Sequence, residues 1–558
     1  MTDRERAPRG GPVRLADLGL TPPVRRPPER GRPWLVPVII LAALLAAWGV
    51  VAVVDSGGGG DEDLAARPSG DATDAGDDPS PVSTESTLAP LPPFDGWVNP
   101  ASSGRPWSET VPGILTFRGN PTRSFYGVGP VPTNPVVLWS FPAEGGMCGA
   151  STDGSGTQTW CGTGWTGQPS VWEHRDGRTW VAFGAYDYAV HWLDYESGAR
   201  LLPDFRTGDI IKGSVTVDPD GYPLLYTGSR DNYYRIIALD REQPVELWKI
   251  HAKAVSPTLW NDDWDGSGLI IDDYLFEGGE NSQFHIVKLN RGYGPDGKVT
   301  VDPKLVFNTP GWDSQLLSDV GDNQVSIENS VAISGNTVYF ANSGGLVQGW
   351  DISGLKNGER PTRVFRYWTG DDVDASIVVD AEGFLYVGAE FERGNARARE
   401  VGQVLKLDPR KPDDPLVWSV KDQKPGKSGV WGTPAIWKDM VYVPTNAGEL
   451  LGIDRMTGEV VWRKDLGSQT WQSPVVVDDV LIEGDCEGNL HAYDVRDTRR
   501  DPPELWSVKL DGCIESTPAV WKGRIFVGTR GGKFYAIGDP PADRRSPVTE
   551  DAAGRSGR

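Results

Sequence analysis

The sequence predicts an all-β fold class: an eight-bladed β-propeller with an N-terminal transmembrane helix and a disordered tether. Three observations carry this prediction. A four-strand unit recurs at spacings of roughly 40 to 50 residues through most of the 558-residue chain, the period of a propeller blade. A lone strand, Val136–Phe141, precedes the first full unit, while the last unit lacks a fourth strand. The composition, with 69 Gly, 45 Pro and 23 Trp, suits short strands joined by tight turns and disfavours a helix-rich fold.

At the amino end, residues 1–33 set eight Arg against four acids and include two Pro pairs, so they cannot build a core and are expected as a disordered cytoplasmic tail. Residues 34–54, WLVPVIILAALLAAWGVVAVV, are 21 residues without a charge, about the 20 that a helix needs to cross a bilayer. The run outlasts a signal-peptide core and no A-x-A site ends it, which reads as an uncleaved anchor; a cleaved signal peptide is the rival reading. Arginines before the span and acids after it place the amino end in the cytoplasm and the rest outside, a single-pass protein of the cell membrane. Residues 55–112 are expected as an acidic, Gly/Pro/Ser-rich extracytoplasmic linker; within it, 55–93 hold nine acids and one Arg, a self-repelling tether.

Residues 113–539 are expected to form the propeller. Opening strands start at Ser170, Ser214, Thr258, Ser330, Ser376, Ala435, Val475 and Ala519, and fourth strands carry Phe205, Trp248, Phe307, Phe365, Trp418, Trp462 and Trp506. Pairing Val136–Phe141 with the three strands of the last unit closes the ring and removes an open sheet edge. Two separate β domains would leave both pieces unpaired. Residues 540–558, Pro-rich and polar, are expected as a disordered tail.

The repeat, plain in VYVPTNAGELLGIDRMTGEVVWRKDL (441–466) and IFVGTRGGKFYAIGD (525–539), resembles the PQQ-like β-propeller family. The lead-in FRGNPTRSFYGVGPVPTNPVVLWSF (117–141) looks like that of membrane-anchored members from high-G+C bacteria. The resemblance is specific for fold and weak for activity, because the repeat serves dehydrogenases, outer-membrane assembly scaffolds and proteins of unknown role. Soluble quinoprotein dehydrogenases carry adjacent cysteines over the cofactor, a Trp floor and a calcium held by Glu, Asn and Asp. No two cysteines are adjacent in this chain, so no quinone cofactor is expected.

Outside the membrane the four cysteines read as two disulfides. In a four-stranded blade the link between blades and the turn between second and third strands lie on one face. Cys486 and Cys513 occupy those two places in neighbouring blades, while Cys148 and Cys161 share the link into blade one, which predicts Cys148–Cys161 and Cys486–Cys513; buried free thiols are the alternative. The same face should carry Asp231, Glu280 and Asn281 after second strands, and Glu328, Asn329 and Asp374 before first strands. These are the candidate ligands at the channel mouth, a cation or polar-ligand site or else a solvated acidic rim.

The sharpest metal signal is N-x-D-x-D-G at 261–266, with Asn261, Asp263, Asp265, Ser267 and Asp272 as ligands of a structural Ca²⁺. It is expected between the first and second strands of blade three, on the face opposite the cysteines; an elongated polar hairpin turn is the other reading. No phosphate loop, G-x-S-x-G elbow or H-E-x-x-H spacing occurs. The net charge of −22 argues against nucleic acid as a partner. The function expected is a non-catalytic binding or scaffold module for a protein, peptide or envelope component. An envelope enzyme, either a divergent quinoprotein or a hydrolase, is the alternative.

Overall fold

The computed structural model describes residues 89–541, apart from 154, 155, 165, 166 and 425–427. The cytoplasmic tail, the span at 34–54 and most of the tether and carboxyl tail lie outside the described residues. No helix among those described is long and apolar enough to cross a membrane.

The described residues form eight blades built on four antiparallel strands, which in blades one to seven follow chain order from the inner first strand to the outer fourth. The first strands are Ser170–Glu173, Thr216–Val217, Leu269–Ile271, Ala332–Ser334, Val378–Val379, Ala435–Trp437, Val475–Val477 and Ala519–Trp521. Blade eight is completed as the sequence predicts: Val136–Phe141 pairs antiparallel with Phe534–Gly538, with Val136 opposite Gly538. One expected strand is misplaced. Blade three opens at Leu269, not Thr258, because the residues between belong to a long link that delays the strand.

Apolar first and second strands pack blade on blade, and the aromatic residue of the fourth strand seals the outer seam. The Trp418 indole donates to the Arg455 carbonyl of blade six at 3.1 Å, and its ring lies flat on Gly458. A Cβ there would stand 2.7 Å from the ring, and φ is +77°, so glycine is required twice over. Trp139 of blade eight repeats the arrangement with the Tyr195 carbonyl of blade one at 3.1 Å.

The expected linker is docked rather than free in its described part. Trp97 and Val98 are buried, the Trp97 indole donates to Ile352 O at 2.8 Å, and its ring meets Tyr274 and Phe276 edge-on. The apolar side chains of this stretch outweigh its polar composition once blades three and four offer a groove. Val98 bridges Gly335, in the turn between first and second strands of blade four, so the chain arrives on the face opposite the cysteines.

From there residues 112–128 run into the central channel and bond to all eight blades. Ile114 pairs with Val171 of blade one, and Leu115 O accepts from Val217 N of blade two at 2.8 Å. Arg123 donates to Ser267 O, leading into blade three, at 2.7 Å and to Val331 O, leading into blade four, at 2.8 Å. Pro121 O and Thr122 O accept from Ile333 N of blade four and Val379 N of blade five. The Tyr126 hydroxyl accepts from Ile436 N of blade six at 2.8 Å. Arg118 reaches Pro474 O before blade seven, and Gly127–Val128 lies parallel to the first strand of blade eight. Arg118 and Arg123 are both fully buried and both left-handed, with φ of 56° and 58°, a cost that persists only where surrounding bonds fix it. The segment stoppers the channel from this side and leaves a cup open towards the cysteine face.

Candidate functional site

One repeat position builds the rim of this cup. Four residues before each first strand stand Lys212, Asp265, Glu328, Asp374, Trp431, Trp471 and Glu515, in blades two to eight. Equivalent positions of radially repeated blades surround a common axis, so residues far apart in sequence meet there. Two residues before each first strand stands a hydroxyl in blades two to eight, forming a belt beneath the rim. Ser267 N donates to Ser330 Oγ, Ser330 N to Ser376 Oγ, Ser376 N to Thr433 Oγ1 and Thr433 N to Ser473 Oγ, at 2.8–3.0 Å. This chain of bonds fixes the rim residues just above it. Beneath Glu328, Asp374 and Trp431 lies a small cavity walled by Ser330, Ser376, Thr433 and Ser473 and floored by Phe117 of the stopper.

Two further acids join the rim from the ends of second strands: Glu280, two residues beyond Tyr274–Gly278, and Glu390, two beyond Leu385–Gly388. On the blade-three side the Lys212 ammonium sits between Asp265 and Glu280, 3.2 Å from Glu280 Oε1. Asn261 donates to the other Glu280 oxygen at 2.7 Å, and Arg230 pairs with Asp263 at 2.6 Å. Asp265, Glu280 and Glu328 have oxygens within 4.8 Å of one another, and so do Asp372, Asp374 and Glu390 on the blade-five side. Across the rim from the acids, Trp431 and Trp471 stack with centroids 4.9 Å apart.

Eight carboxylates, Glu515 with its partner Arg530 among them, thus face Lys212, Arg230, Arg393 and Arg530. Burial raises Asp265, Glu328, Asp372 and Glu390 well above the usual carboxylate range, and for the last three the neighbouring acids push the same way. Asp263 is pushed up to about 7 by burial and Glu280. Burial is the largest influence on Glu280 and opposes its charge, but Lys212, the Asp265 hydrogen bond, Arg230 and Asn261 together hold it low. Asp265 and then Glu280 hold Lys212 well above its ordinary value despite burial. The cup therefore takes up positive charge, as protons or as a cationic ligand.

Of the residues singled out in the sequence, Glu280, Glu328 and Asp374 meet in the cup. Asp231 does not: it pairs with Arg235 and accepts from Gly208 N at 2.8 Å. Asn281 and Asn329 hold backbone, donating to Ala252 O at 2.7 Å and Val373 O at 2.8 Å. The expected calcium loop does not form, because its residues precede the first strand of blade three and lie on the cysteine face. Asp263, Asp265 and Asn261 join the acid cup, Ser267 bonds Thr116 at 2.8 Å and Thr216 at 3.0 Å, and Asp272 sits in the Asp272–Asp273 hairpin turn paired with Lys356. Lys212, Asp372 and Glu390 were not singled out. The repeat position four residues before a first strand marks Lys212, whereas Asp372, six before the first strand of blade five, and Glu390, two beyond its second, carry no such mark. Both predicted disulfides are present, Cys148–Cys161 across the ends of a hairpin in the link into blade one and Cys486–Cys513 on the same face.

Residues 400–538 match the family model described as outer membrane protein assembly factor BamB. No curated protein matches the chain. Among solved structures, quinohemoprotein alcohol dehydrogenase from Comamonas testosteroni is 13% identical, covers 77% of this chain and 81% of its own, and has a TM-score of 0.50. BamB from Moraxella catarrhalis is 14% identical, with 73% and 99% covered and a TM-score of 0.38. Sqt1 from Saccharomyces cerevisiae is 11% identical, with 66% and 95% covered and a TM-score of 0.48. These likenesses concern the fold. The cup does not suit a pyrroloquinoline quinone: that cofactor carries carboxylates of its own, which a rim of acids repels, and both cysteine pairs are held in disulfides away from the cavity lining.

Proposed function

We propose that this propeller of PQQ-like repeats is a membrane-anchored, extracytoplasmic binding or scaffold module whose acid cup receives a cationic side chain of a protein or peptide partner in the cell envelope. The observation that carries the reading is the one-ended cup. Residues 112–128 close the channel on one face, and on the other the half-buried Trp431 stands over the same cavity as Glu328 and Asp374. A Lys or Arg entering there meets two carboxylates and an indole face, the pairing that favours a desolvated cation. The match to the BamB family model supports a protein-binding role without naming the partner.

Titration of the detergent-solubilised chain with a Lys/Arg-rich peptide and with its Glu-rich counterpart tests this. Saturable binding of the basic peptide alone, lost in Glu328→Gln/Asp374→Asn and weakened by salt, is expected. Indifference to both peptides, or dye-linked alcohol oxidation on adding quinone and Ca²⁺, would overturn the reading, the latter in favour of an envelope enzyme.

A further inference from the structure

On the face opposite the cysteines, neighbouring blades are tied by charge. At five of the eight seams the turn between third and fourth strands of one blade reaches back to the turn between first and second strands of the blade before it. Arg291 of blade three pairs with Asp218 of blade two at 2.7 Å, and Lys356 of blade four pairs with Asp272 of blade three. Arg455 of blade six lies 3.8 Å from Glu382 of blade five, and Arg499 of blade seven 2.6 Å from Asp439 of blade six. Glu196 of blade one reaches Arg524 of blade eight. Between blades four and five the earlier turn, Gly335-Asn336, offers no charge to pair.

The seam between blades one and two breaks the pattern. The turn of blade two is drawn the other way: Asp240 accepts from Val299 N of blade three at 2.7 Å, and Arg241 donates to Val299 O at 2.6 Å. Between blades one and two a cavity of about 370 Å³ stays open, with apolar walls from Val111, Trp172, Val217, Leu224 and Leu239. Both acids in its lining are already matched, Glu173 with Lys522, and Asp218 with Arg291 and the Tyr226 hydroxyl. Arg175 lines the cavity as well, exposed, and among the described residues it makes neither a hydrogen bond nor an ion pair. In a chain of net charge −22, an unmatched guanidinium beside an apolar cavity is the reverse of the acid cup.

We propose that this cavity binds a small carboxylate with an apolar body. A guanidinium takes a carboxylate in a two-pronged, charge-assisted pair, so the acid end of the ligand gives Arg175 the counter-charge that the other seams find within the chain. The walls take the body out of water, and a cavity of this size, mostly apolar with a few placed polar groups, suits one small molecule. An uncharged body of the same shape gains the walls alone, and a cation is repelled. The ligand touches blade one, blade two and residues 110–112 together, so its binding braces a seam that lacks the ion pair of its neighbours. The site lies on the face away from the cup and stands whether or not the cup receives a peptide.

Calorimetric titration of the full chain in a non-ionic detergent with naphthoate, corrected for the detergent alone, tests the site; naphthylmethanol is the uncharged counterpart. Saturable binding of naphthoate with a Kd below about 1 mM is expected, with the alcohol at least about tenfold weaker. Arg175→Gln should bring naphthoate down to the level of the alcohol and leave the alcohol unchanged, a pattern that general loss of structure does not give. Thr110→Trp, which adds bulk at the cavity wall, should weaken both. Arg175 and Thr110 are exposed, so both variants should melt at the wild-type temperature. No saturable binding of naphthoate, equal affinity for acid and alcohol, or naphthoate binding that survives both substitutions would overturn the proposal. None of these outcomes alters what the basic-peptide titration reports about the cup.

Discussion

Arg118 Nη2 donates to the carbonyl oxygen of Pro434 at 2.7 Å, across 316 residues of sequence. Its other terminal nitrogen reaches Pro474 O, and its guanidinium lies 4.4 Å from the Tyr126 ring centroid. Burial lowers its pKa, and Glu483 of blade seven opposes that fall. Arg123 stands in the same relation to Glu277 of blade three. Glu277 and Glu483 are equivalent residues, in LIIDDYLFEG (269–278) and VVVDDVLIEG (475–484).

Arg118→Met removes the bonds to both links and leaves buried carbonyls and Glu483 without a cation. A loss of about 3–5 kcal/mol is expected, read as a lower urea midpoint at unchanged slope. Glu483→Gln, which keeps the shape and removes only the acid, should cost far less.

Glu277 is pushed up to about 8 by burial, against the pull of Arg123, whereas an ordinary carboxyl sits near 4.5. Between those values the folded protein holds a proton that the unfolded chain has released, so stability falls as pH rises from 4.5 to 8. Glu277→Gln should flatten the decline in melting temperature between pH 5 and 8; parallel curves would refute the assignment. His285 opposite it is held down to about 4 by burial, from an ordinary 6.5, so it contributes the opposite slope. As pH falls from 6.5 to 4 the unfolded chain takes up the proton first, and stability drops.

The Cys486–Cys513 bridge closes a loop of 27 residues between neighbouring blades. Replacing both by Ser should cost about 3 kcal/mol through the freed unfolded chain, measured as the same midpoint shift that reductant produces in the wild type at this bridge. If neither treatment moves the midpoint, the bridge does not join the blades energetically.

Gly458→Ala forces a Cβ into the Trp418 ring at a left-handed position. About 1–3 kcal/mol should be lost, and Trp418→Phe in the same background should recover part of it by withdrawing the larger ring. No recovery would show that the backbone, and not the ring, sets the cost.

The ring itself was legible because a blade is a local unit whose strand spacing survives in the sequence, and the stray Val136–Phe141 could only belong to an incomplete last blade. Blade three was misread because the link from Ala252 to Gly268 displaces its first strand, although the shared Asp-Asp hairpin turn at 272–273 and 478–479 marks it. That single shift hid the rim: with Thr258 taken as the start, Asp265 falls out of step with Glu328 and Asp374. The stopper left no periodic signal, since its bonds are backbone and guanidinium contacts to eight separate strands. Lys212 as an internal counter-ion follows only from three dimensions.

The pairing of the last strand with Val136–Phe141, and the bonds from Thr133 N and Asn134 N to Asp539 at 3.1 and 2.6 Å, join residues roughly 400 positions apart. Such a contact sets the order of events during synthesis. A chain that emerges amino end first gives residues 113–122 partners blade by blade, but carries Gly127–Val128 and the strand Val136–Phe141 with no sheet to join until the eighth blade arrives. Closing so long a loop costs about 5 kcal/mol in chain entropy, met only when the final strands dock. The fold is thus finished by its two ends together, and a chain that stops before Phe534 would lose its last strand and expose the edge of an early one as well.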